Sequence, residues 1–529
     1  MNPDRWEQFC QDWFHDSDLG FSLDVSRVAG LDVPLRTSAG DVSRSLSAMT
    51  ALERGSHANC DEGRQVGHYW LRDPDLAPTA QQTALIRQTV AQVKTFVADL
   101  MAGTVSPPGG GRFRHVLHVG IGGSALGPQL AAAALPPRDG ACTLHFLDNT
   151  DPDGFRQVLG GLAPVLAETL TVVVSKSGGT RETRNGMMAA AAAYRTAGLD
   201  FPRHVVAITG AGSQLDQQAQ DEGWLLRLPM PDWVGGRTSQ TSVVGLLPLA
   251  LGGGDVDAFL GGARKMDALT RRPAADGNPA LLLALAWQIM AATEPRKAMV
   301  ILPYKDRLSL LARYLQQLVM ESVGKEKDLD GNTVHQGLTV YGNKGTTDQH
   351  AFVQQLRDGP DDFFATFIQI LTDCAPPESA SDQEQAAGDD LLGFLLGTRA
   401  ALTEKGRSTI LLSLGRLDEG TLGATIALFE RAVGLYGFLV NINAYHQPGV
   451  EAGKKAAEDA LDLQRLAMDA LTARAGEWLT AGEVAAAAGR ADDTETVFHL
   501  LLHLAANPGR GYRQQEGDAP SSWRFCATT

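Results

Sequence analysis

Apolar positions along this chain follow two periods, and the places where one gives way to the other divide it into elements. From Thr79 to Met101, TAQQTALIRQTVAQVKTFVADLM, they recur at helical spacing and the run closes in a breaker-rich linker, GTVSPPGGG. After that linker come short, almost unbroken apolar runs: HVLHVGI, CTLHFLDN, LTVVVSKS and HVVAITG, each followed by a glycine-containing turn and most by a helical stretch. Strands that are apolar on both faces, alternating with helices, predict a parallel sheet covered on both sides. A second cycle starts at AMVILPY (298–304), passes through the helix RYLQQLVMESVGK, and continues with LTVY, FFATFIQIL and RSTILLSL.

The remaining chain frames these two cycles. Residues 1 to about 110 read as mainly helical, a helical stretch joins the cycles, and APPESASDQEQAAGDD (about 375–390) reads as an exposed loop. After 415 the chain is helical again, and beyond about 475 lies a small appendage. The expected organisation is a helical N-terminal arm (1–110), two α/β domains (111–290 and 291–445), a C-terminal helical arm (446–475) and an appended helical segment (476–529).

Composition narrows the function. The 529 residues carry a net charge of −15 and a pI near 5.3, which argues against nucleic acid as a general partner. An anionic substrate stays allowed where a few cations are focused locally. The N-terminal residues lack the basic start and apolar core of a secretory signal, and no apolar run reaches membrane-spanning length, so a cytoplasmic protein is expected. Cys10, Cys60, Cys142, Cys374 and Cys526 are scattered without a CxxC pair, which suits reduced thiols.

Candidate chemistry gathers at the turns. GIGGSALG after the first strand imitates a dinucleotide fingerprint through Gly120, Gly122 and Ala125, with Asp148 in the place of a ribose acid, although a tight structural turn uses the same glycines. In SKSGGT, the hydroxyls of Ser175, Ser177 and Thr180 and the charge of Lys176 meet a glycine turn at a helix start, the composition of a phosphate site; an N-cap would need neither the lysine nor both glycines. Arg237 stands in GGRTSQTS, where flanking glycines permit close approach to a ligand. Gln317 and Glu321, four apart, share a helix face, and His350 follows 29 residues after Glu321, beyond the loop GNKGTTDQ. A carboxylate base, an imidazole and a cation are the parts needed to move a proton between carbons. Each has an ordinary reading too: Glu321 paired with Lys325 at i,i+4, His350 as a loop histidine, Lys454 on a solvated helix face. His499 and His503 have metal-ligand spacing but no third ligand nearby in the sequence, so no metal site is expected.

Taken together, HVGIGGSALGP, VVVSKSGGTRETRNG, GGRTSQTSVVG, LQQLVMESVGKEKDLDGNTVHQGLTVYGNKGTTDQHAF and NINAYHQPGVEAGKKAA resemble the glucose-6-phosphate isomerase (phosphoglucose isomerase) family, most closely its bacterial branch, over about 115–465. The resemblance implies two flavodoxin-like sugar-isomerase (SIS) domains with helical arms, a homodimer, and interconversion of glucose 6-phosphate and fructose 6-phosphate without a cofactor. It assigns the phosphate to Ser175, Lys176, Ser177 and Thr180, the C2 to C1 proton shuttle to Glu321, and ring opening to His350 with Lys454, His350 coming from the neighbouring subunit. Arg237 would face the enediolate, and Gly123, Ser124, Gln317 and Gln447 the sugar. Ser177 with Gly178-Gly179, and Pro448, depart from the animal-type pattern. The order of elements after 475 is similar to a winged helix, but its acidic charge speaks against DNA. Two other classes remain open on the sequence: a phosphosugar-binding regulator on the same fold, which would not need Glu321, His350 and Lys454 together, and a nucleotide-dependent dehydrogenase using GIGGSA.

Overall fold

The computed structural model describes residues 3–31, 39–293, 295–373 and 381–528. Two compact units divide the chain, Met1–His446 and Gln447–Thr529.

In the first unit, a hairpin of β1 (Trp13–Asp16) and β2 (Phe21–Arg27) precedes the expected strands β3 (His115–Val119), β4 (Thr143–Leu147), β5 (Thr169–Ser175), β6 (Val205–Thr209) and a short β7 (Leu226–Pro229). Strands β3 to β7 form a parallel sheet in the order β4-β3-β5-β6-β7, the winding of a flavodoxin-like fold. Alternate residues of β5 explain the unbroken apolar run. Leu170, Val172 and Val174 join one core with the helices Leu126–Ala134, Val243–Leu251 and Pro279–Ala291, while Val173 joins another with Met187, Ala190 and Tyr194 of the helix Arg181–Thr196.

The second sheet repeats the winding. After β8 (Ala298–Pro303), a small hairpin of β9 (Lys325–Lys327) and β10 (Thr333–Gln336) intervenes, and then β11 (Val340–Tyr341), β12 (Phe363–Ile370) and β13 (Thr409–Leu414) build the order β11-β8-β12-β13, all parallel. Here the N-terminal region differs from its helical reading: β2 pairs antiparallel with β13 and β1 extends the sheet. Phe21, Leu23 and Val25 alternate in the sequence and are fully buried, a strand signal that only a distant partner strand turns into a sheet.

The helix Ala80–Ala102 forms as its pattern predicts, with Thr79 Oγ1 accepting from Gln82 N–H (3.2 Å) and Gly103 closing it at φ +80°. The expected loop at 375–390 is only partly that. Cys374 and residues 375–380 lie outside the described residues, while Ser381 and Glu384 form a reciprocal capping box at the start of the helix Asp382–Glu404. The sequence SDQE carries that signal. The helix Glu419–Leu439 is long and apolar enough to cross a membrane, but it is almost wholly buried inside the protein.

In the second unit, the helix Pro448–Ala473 supplies Leu463, Ala467 and Leu471 to one core with Val484, Val497, Leu501 and Phe525. The helical arm and the appendage, separate in the sequence reading, therefore share a core. The appendage is also not purely helical: β14 (Leu479–Thr480), β15 (Tyr512–Gln515) and β16 (Arg524–Ala527) make a three-stranded antiparallel sheet beside the helices Ala481–Ala487 and Thr494–Ala506.

Candidate active site

The loops after β3 and β5 leave the carboxyl edge of the first sheet on either side of the point where its winding reverses, the place where such sheets open a crevice for ligands. The β3 loop makes a 3₁₀ turn at Gly122–Ser124. His118, buried beneath it, donates from Nε2 to the Ser124 carbonyl at 2.6 Å, and burial pushes its pKa down to about 4, so it stays a neutral strut. Gly122 sits at φ +57°, and any side chain there would meet Gln317 Nε2 at 3.1 Å. Gly123 faces the GGR loop so closely that a Cβ would lie 2.0 Å from the Gly236 carbonyl oxygen, and Ser239 Oγ ties the two loops by donating to the Gly123 carbonyl at 3.2 Å. Gly236 to Thr238 is itself a 3₁₀ turn, so these glycines are where two turns touch.

That contact aims Arg237 inward. Its guanidinium is nearly buried, with Nε donating to Ser322 Oγ (2.7 Å), Nη2 to the carbonyls of Ala444 (2.8 Å) and His446 (3.2 Å), and Nη1 3.5 Å from Glu321 Oε1. Burial lowers the arginine's pKa while Glu321 opposes the shift. Neutral oxygens thus hold most of the group, and the carboxylate stands at ion-pair distance with a fifth of its side chain exposed.

Glu321 does not stand on a regular α-helix. Leu311–Leu315 is α-helical, but Gln316–Glu321 continues as a π-helix, a rare wide turn common at functional sites. Gln317 and Glu321 still reach the same pair of loops, one beside Gly122 and the other beside Arg237. The i,i+4 pairing of Glu321 with Lys325 takes another form: Lys325 Nζ donates to the carbonyls of Glu321 (2.9 Å) and Ser322 (2.7 Å), closing the C-terminal end of the π turn. Burial first, then Arg237, pulls the Lys325 pKa from 10.5 to about 7, against Glu321 and Asp61. An unfolded chain would bind this proton up to its higher pKa, so the Lys325 contribution to stability rises with pH between about 7 and 10.5 and is flat below. The denaturation midpoint of wild type relative to Lys325→Met is accordingly expected to climb from pH 7 to pH 9.5. Parallel midpoints would show that Lys325 does not titrate in that window.

At the β5 loop, Ser175 Oγ and Thr180 Oγ1 are 3.3 Å apart, Ser177 Oγ accepts from Gly179 N–H at 3.2 Å, and Gly178 adopts φ +72°. Thr180 occupies the N-cap of the helix Arg181–Thr196 yet makes no capping bond with its side chain, which leaves the positive end of a sixteen-residue helix facing the loop. Lys176 points another way: its ammonium donates to the carbonyls of Asp232 (2.8 Å) and Val234 (2.9 Å), fastening the segment that leads into Gly235 and Arg237.

The other sequence candidates are placed as follows. His350 ends a 3₁₀ turn, Asp348–His350, in the loop at the carboxyl end of β8 and β11, where buried Asp348 accepts from Asn343 N–H (2.8 Å) and Nδ2 (3.0 Å) and leaves His350 exposed. In the second unit, Gln447 precedes the helix Pro448–Ala473, and Lys454 pairs with Glu451 at 2.8 Å on its exposed face. Asp148, offered as a ribose acid, accepts from Gln129 Nε2 (2.9 Å) and lies 3.4 Å from Arg313.

Sequence reasoning found no chemistry before residue 110, yet the segment Asn59–Arg64 packs on the carbonyl-rich turn that holds Arg237. Asn443 Nδ2 donates to Asn59 Oδ1 (3.1 Å) and to Asp61, and His446 Nε2 lies 3.6 Å from Asp61. Nothing local in the sequence marks Ser322 or Asn443, and Lys325 was legible there only as an i,i+4 partner of Glu321, not as the buried group that closes the π turn.

A doubly wound sheet with a hydroxyl-rich anion loop on one side of its switch point, and a guanidinium–carboxylate pair close by, defines an α/β protein that takes a small anionic substrate at its sheet edge. The comparisons are specific. The family profile described as Phosphoglucose isomerase matches residues 41–375 and 376–471, and this chain belongs to that family. It is 54% identical over 523 residues to the glucose-6-phosphate isomerase of Geobacter sulfurreducens, covering 99% of both chains, and 54% identical over 522 residues to that of Thermosynechococcus vestitus, covering 98% of both. Among solved structures, a glucose-6-phosphate isomerase from Chlamydia trachomatis superposes with a TM-score of 0.75 at 26% identity, covering 87% of this chain and 91% of that one.

Proposed function

We propose that this chain interconverts glucose 6-phosphate and fructose 6-phosphate, as a cytoplasmic homodimer and without a metal or redox cofactor. The observation that carries the reading is the 3.5 Å approach of Glu321 to a nearly buried Arg237 between the β3 loop and the π turn. Its curated relatives support it.

The sugar enters as a closed ring, and His350 with Lys454 moves protons between the ring oxygen and the C1 hydroxyl to open it. Only the open chain has an acidic proton at C2. Glu321 removes it, the electron pair passes into a cis-enediolate, and the same carboxyl returns the proton to C1. Arg237 faces the oxygens where negative charge develops, and neutral hydrogen bonds hold it there before the reaction begins. Gly123, Ser124, Gln317 and Gln447 contact the sugar; Ser175, Ser177 and Thr180 take the phosphate, joined by Lys176 once its ammonium leaves the Asp232 and Val234 carbonyls, and the bound phosphate holds the flexible chain in register. His350 serves the site of the partner subunit, in keeping with its exposed position on the loop after the edge strand β11.

A coupled assay of fructose 6-phosphate to glucose 6-phosphate, run with EDTA, tests the reaction. Phosphosugar binding without turnover would instead mark a regulator.

Thr180→Ala should weaken binding of 6-phosphogluconate about tenfold, the loss of one hydrogen bond to a charged group. A larger loss is expected for Lys176→Ala, which removes a charge and frees the Asp232–Val234 segment. Calorimetry showing wild-type affinity in both variants would place the phosphate elsewhere.

A further inference from the structure

A cavity of about 550 Å³ lies at the opposite edge of the second sheet, where β2 ends and β13 begins, away from the carboxyl-edge loop that bears His350. Arg5, Arg27, Arg399 and Arg407 line it together with Trp6 and Phe9. In a chain of net charge −15, four guanidinium groups around one hollow are an unusual concentration.

Their partners offset only part of this charge. Buried Arg399 pairs with Asp24 at 2.6 Å, and Arg407 shares Asp361 with Lys297, at 3.1 and 2.7 Å. Arg27 donates to Thr403 Oγ1 at 3.1 Å, and among the described residues neither it nor Arg5 has a carboxylate at ion-pair distance. Arg407, with a side chain only 10% exposed, leaves its Nε without a hydrogen-bond acceptor. Burial and the neighbouring Arg399 depress the Arg27 guanidinium, Asp24 opposing and Arg5 adding to the shift, as expected where positive charge is crowded. The hollow is thus a focus of positive potential within the size range of small-molecule sites.

Beside it runs an exposed aromatic ladder. Trp6 stacks on Phe9 (5.5 Å between centroids), Phe9 on Trp13 (6.1 Å) and Trp13 on His15 (5.1 Å). Trp6, at its open end, is 61% exposed. Clustered arginines take adjacent phosphates through forked hydrogen bonds, and a free indole face takes a planar base.

We propose that this cavity binds a nucleoside polyphosphate, the arginines holding the phosphate chain and Trp6 stacking on the base. The inference is independent of the isomerase reading. It is tested by calorimetry with ATP and with inorganic tripolyphosphate, in EDTA, on wild type, Arg5→Ala/Arg27→Ala and Trp6→Ala. Both altered arginines are solvent-exposed, and unchanged melting temperatures of the variants verify folding. Expected is ATP binding to wild type that weakens at least tenfold in the double arginine variant, and at least threefold in Trp6→Ala, where tripolyphosphate binding is unchanged. Absence of ATP binding at millimolar concentration, or binding indifferent to the arginines, overturns the site. Tripolyphosphate binding as tight as ATP, with Trp6→Ala without effect on either, overturns the nucleoside part of the ligand.

Discussion

Glu321→Gln is expected to lower turnover by about 10² to 10⁴-fold, the range for removing a general base, while 6-phosphogluconate binds within about threefold of wild type. The amide keeps the shape of the side chain and can still place an oxygen towards Arg237, but it cannot accept the C2 proton. The surroundings should hold: Arg237 is fixed by Ser322, Ala444 and His446, and the π turn is closed by Lys325 through main-chain carbonyls, so neither depends on the ionised carboxylate. Turnover within tenfold of wild type would remove Glu321 from the role of base. Loss of inhibitor binding together with turnover would indicate a collapsed site instead.

Glu321→Gln and His350→Ala homodimers should each be inactive, and joint unfolding and refolding of an equal mixture should restore about a quarter of wild-type activity if the dimer is two-fold symmetric. In a mixed dimer one site collects both defects, while the other takes intact Glu321 from one chain and intact His350 from its partner. Random pairing makes half the dimers mixed, each with one working site of two. Verified mixed dimers that stay inactive would mean that Glu321 and His350 serve one site from one chain, or that one of the two has another role.

Much of the first sheet was legible because its strands are buried on both faces and so announce themselves as short apolar runs bounded by glycine turns. Its short last strand, Leu226–Pro229, carries no such run and escaped notice. The capping box at Ser381 was equally present as SDQE, within a polar stretch that invited a loop. Among the candidate residues, those with intrinsic chemistry were the legible ones: the SKSGGT hydroxyls, Arg237 in its glycine frame, Glu321 and His350, of which the fold brings Arg237 and Glu321 together. Their supports did not, since Ser322 and Asn443 are ordinary residues until they meet a guanidinium or an N-terminal loop.

The sequence by itself determined the alternation of strands and helices, the two cycles and the inventory of reactive groups, because these rest on neighbours within a few turns of chain. Tertiary structure alone decided that Arg237 is buried and held by carbonyls, that Lys325 is desolvated until its pKa falls to about 7, and that β2 completes the second sheet. Burial, desolvation and strand pairing depend on partners far away in the chain, and no local pattern encodes which distant segment will arrive.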